Sequence, residues 1–90
     1  MRSSTPVSVE VCAYSLFSCL EADRAGAQRV ELCASPWEGG TTPSAGLVEQ
    51  ALLSTSLEIH AMVRPRGGDF VYDAAEKQTM LAEARSLIAQ

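Results

Sequence analysis

The tetrapeptide VEVC at residues 9–12 returns as VELC at residues 30–33. In both copies aliphatic residues alternate with a carboxylate and a thiol. Val9 and Val11 oppose Glu10 and Cys12, and Val30 and Leu32 oppose Glu31 and Cys33. A period of two is the signature of a strand with one apolar side and one polar side. The stretch LEIHAMVR at residues 57–64 repeats the pattern. Leu57, Ile59, Ala61 and Val63 alternate there with Glu58, His60, Met62 and Arg64. Strands are therefore expected over residues 7–12, 29–33 and 57–64.

Helical signals lie between and after them. Ser18-Cys19-Leu20-Glu21 has the form of a capping box, and Gly26 is a natural C-terminal stop. Residues 35–43, SPWEGGTTP, read as a loop, after which Ser44 caps a short helix running through Leu47 to Leu53. Residues 65–69, PRGGD, form the next loop. Asp73 and Glu76 then cap a helix to about Ala89, with Met80, Leu81, Ala84, Leu87 and Ile88 as its apolar stripe.

The order βαβαβα implies parallel strands joined by right-handed crossovers. Strands covered by helices on both sides read as near-continuous apolar runs, and none of these three does. The expected fold class is α/β, a (β/α) TIM-barrel type with the aliphatic side outward against helices and the polar side facing the interior. Barrel interiors are usually filled by branched apolar side chains, so charge there points to a site. Three units do not close an eight-stranded barrel of typically ~250 residues. The expectation is an incomplete barrel: a disordered tail over residues 1–6 and the first three βα units over 7–90.

Composition agrees with a small globular unit. Ninety residues allow at most one small domain, and 47% apolar with 20% charged residues is not a disordered composition. A net charge of −4 argues against nucleic acid or an anionic membrane as partner. No stretch approaches the ~20 apolar residues of a membrane span, and the N-terminus lacks signal-peptide form. Three cysteines without secretory features are expected as free thiols in a reducing cytoplasm.

The runs VEVCAYS, AGAQRVELCASPWEGGTTPS and VRPRGGDFVY, in that order, closely resemble the N-terminal part of the CutC family, named for copper homeostasis. The resemblance runs from about Val7 to the end of the chain. It implies a cytoplasmic TIM-barrel protein that binds copper, as Cu(I), through cysteine. The chain matches only about the first third of the family's domain and stops after the third βα unit, so it reads as a truncated member. An unpaired third strand and an open polar interior would then favour association between copies.

If the two tetrapeptides lie side by side, Cys12 and Cys33 both point inward near the C-terminal rim, with Met62 turned the same way. Two thiols and a thioether are soft donors, which select Cu(I) over hard cations. Zinc would need four ligands, and His60 is the only histidine. Cys33 is the stronger candidate ligand, followed by Cys12 and then Met62, whereas Cys19 is expected to be structural. The competing reading is plain packing, a common use of cysteine and methionine.

A second functional reading is enzymatic, with a small anionic or sugar-like substrate. Glu10 and Glu31 would act as general acid and base. Arg64, Arg66 and Asp69 in the RPRGGD segment would bind the substrate, with Tyr72 adding hydrogen bonds. The structural alternative pairs the glutamates with Arg64, or else Arg66 or Arg29, and pairs Arg64 with Asp69.

Overall fold

The computed structural model describes residues 7–90, so the tail expected over 1–6 lies outside the described residues. Three strands, β1 (Glu10–Ala13), β2 (Arg29–Leu32) and β3 (Glu58–Ala61), form one parallel sheet in the order β1-β2-β3. Each is followed by a helix: α1 (Leu16–Arg24), α2 (Ala45–Ser54) and α3 (Ala74–Ile88). The βαβαβα order and the α/β class are as expected.

The strands are shorter than their alternation predicted. The β1–β2 ladder begins at Glu10↔Arg29; Val9 joins it only through its carbonyl, which accepts from Gln28 and Arg29 N–H at 3.1 and 3.3 Å, and the side chains of Val7 and Val9 stay exposed. At the other end, β3 stops at Ala61 although Met62 N–H still donates to Leu32 O at 3.0 Å. Beyond that point the chain turns to the loop after β2, where Thr42 N–H donates to Arg64 O at 3.0 Å.

One helix start needs correction. The cap of α1 is Ser15, not Ser18: Ser15 is extended, and its Oγ accepts from Ser18 N–H at 3.1 Å, which places Ser18 inside the first turn. The far end is as expected. Gly26 takes a φ of +92°, and the N–H groups of Gly26 and Ala27 bond back to Asp23 O and Ala22 O, a Schellman closure that a side chain at this φ would strain. Ser44 caps α2, and Asp73 with Glu76 forms the reciprocal capping box of α3.

Packing is one-sided. Ala13, Val30, Leu32, Cys19, Ala22, Val48, Ala51 and Leu57 form the core between the sheet and the first two helices. Helix α3 joins it only through half-buried Leu87 and contains no fully buried residue. β3 pairs only with β2 among the described residues. Among the described residues no helix covers the opposite side of the sheet, and Glu10, Cys12, Glu58 and His60 are exposed there.

Candidate metal centre

The open side of the sheet is built in rows. Strand pairing sets Glu10, Arg29 and Glu58 in one row and Cys12, Glu31 and His60 in the next. Cys33 follows one step beyond, where its N–H donates to Ala13 O at 3.0 Å. The two tetrapeptides are therefore not side by side, as the sequence suggested. Residues pair between β1 and β2 at an offset of 19, whereas the motif repeats at 21. Cys12 faces Glu31, and Cys33 stands two residues further along.

This stagger places a carboxylate between the two thiols. Glu31 Oε1 accepts from Cys12 Sγ and from Cys33 Sγ, both at 3.9 Å. The candidate ligand atoms of Cys12, Glu31 and Cys33 all lie within 4.8 Å of one another. Cys12 is exposed, Glu31 half-buried and Cys33 fully buried. Access is from the Cys12 side.

Met62 completes a soft set. A β-carbon built on Gly40 would stand 3.4 Å from Cys33 Sγ and 3.5 Å from Met62 Sδ, so both sulfurs pack under this glycine. Gly40 has a φ of +101° and is itself buried, which suits a residue whose backbone must lie directly on two sulfurs. His60 is outside the cluster: its Nε2 lies 2.8 Å from Glu58 Oε1.

Burial pushes the Cys33 thiol up to about 12, and the neighbouring Cys12 and Glu31 charges add to the effect. The Tyr14 phenol is also pushed up to about 12, first by its hydrogen bond with Cys12, whose Sγ lies 3.5 Å from the hydroxyl. Cys19, on the buried side of α1, is raised by burial alone. At neutral pH Cys33 therefore carries its proton, and any metal ion held there would have to displace it, since thiolate rather than thiol is the ligating form.

Of the other residues singled out from sequence, Glu10 takes one of its expected partners and the rest do not. Glu10 pairs with Arg29 at 2.6 Å, with both side chains about one-third exposed. Glu31 has the thiols as its neighbours, and among the described residues no arginine pairs with it. Arg64 is buried and reaches carbonyls instead of carboxylates. Its Nη1 donates to Glu38 O at 2.7 Å and Gly40 O at 3.0 Å, and its Nη2 donates to Gly68 O at 3.0 Å. Arg66 bonds to Glu76 and to Asp69, the latter at 3.3 Å, and lies over the Tyr72 ring. The expected Arg64–Asp69 pair is thus an Arg66–Asp69 pair.

Sequence reasoning missed the joining of Glu31 to the thiols and the seating of Gly40 on the sulfurs. The EGG triplet after β2 was a signal for the second, because paired glycines beside a candidate ligand allow close backbone approach. The first depends on a strand offset that the repeat itself misreports.

Comparison with known proteins agrees with the geometry. The family model described as CutC family matches residues 7–89. A CutC family protein of Parabacteroides distasonis is 53% identical over 76 residues, covering 83% of this chain and 31% of the relative. One from Klebsiella pneumoniae is 51% identical over 77 residues, covering 86% and 31%. The chain thus spans about a third of the length of the curated relatives it matches. Among solved structures, that of a candidate copper homeostasis protein, CutC from Streptococcus agalactiae, superposes with a TM-score of 0.84 at 36% identity. The superposition covers 93% of this chain and 41% of that one. With residues 7–89 matched by the family model and relatives about half identical over most of its length, this chain belongs to the CutC family.

Proposed function

We propose that this protein takes part in cytoplasmic copper homeostasis by holding Cu(I) on the thiolates of Cys33 and Cys12. The observation that carries the reading is the convergence of two thiols and the Glu31 carboxylate within 4.8 Å on the open side of the sheet. The Met62 thioether stands beside them under Gly40. Sulfur donors are polarisable and match a soft monovalent ion. A tetrahedral zinc site would draw on His60, which is engaged with Glu58. The name of the Streptococcus agalactiae relative points to the same metal.

The same reading includes the architecture. Residues 7–90 form the first three βα units of a TIM barrel, with the open side of the sheet as part of its interior. The two-residue stagger between VEVC and VELC supports this, because a closed barrel needs a systematic offset between neighbouring strands. Continuing the barrel would pair β3, as would association between copies through that edge. No helix of the described residues is long and apolar enough to cross a membrane.

The test is a competition titration with a chromophoric Cu(I) chelator under strictly reducing conditions. The unaltered protein withdraws Cu(I) from the chelator, and the Cys12→Ser/Cys33→Ser variant loses this ability while keeping its circular dichroism. Equal withdrawal by both proteins overturns the proposal. The enzymatic reading draws no support from the arginines, since Arg64 and Arg66 are engaged with carbonyls and carboxylates of the chain itself.

A further inference from the structure

Arg64 is a buried cation without an ion-pair partner among the described residues, 9% exposed and three residues past the end of β3. Burying a guanidinium is costly unless its donors are satisfied. Here three main-chain carbonyls satisfy it: Glu38 O and Gly40 O from the loop after β2, and Gly68 O from the loop after β3. Phe70 stacks on the guanidinium, with its ring centroid 4.8 Å from Cζ. Only the Nε atom is left without a partner. Arginine suits this task because its rigid planar fork can hold several acceptors at once, which a lysine ammonium does less well.

The carbonyls it holds belong to the turn that seals the sulfurs. Gly40 lies directly against Cys33 Sγ and Met62 Sδ, and Cys33 is fully buried although it stands on the side of the sheet that has no helix. The seam is reinforced next door, where Thr42 Oγ1 accepts from Arg64 N–H at 2.9 Å. We propose that Arg64 is the positioning residue of the thiol centre: its guanidinium holds the Glu38–Gly40 turn closed over Cys33 and Met62, so that the centre is reached only past Cys12. This rests on the thiol-centre reading above, and the clamp itself can be tested without any metal.

The test is alkylation of the metal-free protein with N-ethylmaleimide, with each cysteine followed by peptide mass spectrometry. Cys19 is the internal control, because it is fully buried in the core on the other side of the sheet and becomes reactive only when the fold opens. In Arg64→Ala the rate at Cys33 rises about tenfold or more, the scale set by losing charge-assisted hydrogen bonds that hold the turn. Cys19 stays within about twofold, since local opening leaves the core closed. Arg64→Lys falls between Arg64→Ala and the unaltered protein. An unchanged rate at Cys33 overturns the proposal. So does a parallel rise at Cys33 and Cys19, which would make Arg64 a general support of the fold. Failure of the copper reading would show instead in the chelator titration and leave the alkylation pattern intact.

Discussion

Strand β2 has two unlike sides. Val30 and Leu32 are sealed within the core beside α1 and α2 with no exposure at all. One residue away on the same backbone, Glu31 stands between two thiols on a side with no helix over it. The first side does what a core does, and its side chains can be exchanged for others of like volume. On the second side, chemistry depends on which residue faces which, so a single step in strand offset would change the ligand set. Stability and site are thus separable by face; two predictions test that separation, and two more set its scale from regions outside both faces.

The largest effect is on the covered side. Leu32→Ala removes a fully buried side chain and is expected to cost about 2–5 kcal/mol, a large part of the stability of any small domain. A urea titration measures this as a lower midpoint, and a loss well below 1 kcal/mol would mean that the core is not centred on β2. Next comes the open side. Glu31→Gln changes the unfolding free energy measured in urea by no more than about 0.5 kcal/mol, the usual range away from packed cores, but weakens Cu(I) binding in chelator competition. A variant that binds as before would remove the carboxylate from the centre.

Acid affects a third region, the junction between the loop after β3 and α3. Hydrogen bonding from Arg66 holds the Glu76 carboxyl below its usual value of 4.5, and the Asp73 main-chain N–H adds to this. A carboxyl lowered in the folded state stabilises that state above its unfolded value, and the contribution is lost as pH falls through the folded value. Protection of the amides in the first turn of α3, taken relative to their intrinsic exchange rates at each pH, should therefore fall below about pH 4.5 in the native protein. In Glu76→Gln this pH dependence should flatten. The smallest effect is at Arg24, whose pair with Glu21 lies on the exposed surface of α1. Arg24→Ala should change stability by no more than about 0.5 kcal/mol.

Much of the covered side was legible in the sequence. Period-two alternation gave the parity of all three strands, and Asp73, Glu76, Ser44 and Gly26 marked helix ends through local chemistry. The α1 cap was misplaced because Ser15 and Ser18 both lie near its start, and only Ser15 is followed by a hydrogen-bonding first turn. On the open side the residue types were legible and their neighbours were not. The repeat suggested Cys12 beside Cys33, but pairing begins where β2 leaves the Gly26 turn, and this puts Glu31 opposite Cys12. The partners of Arg64 were hidden for a related reason, since main-chain carbonyls leave no mark in a sequence.

The central claim is that sulfur from Cys12 and Cys33 binds the metal. Copper-edge X-ray absorption on the Cu(I)-loaded protein addresses it most directly. Sulfur atoms are expected as the dominant neighbours of copper, and are expected to be lost from the spectrum in the Cys12→Ser/Cys33→Ser variant. A first shell of nitrogen and oxygen alone in the unaltered protein would contradict it.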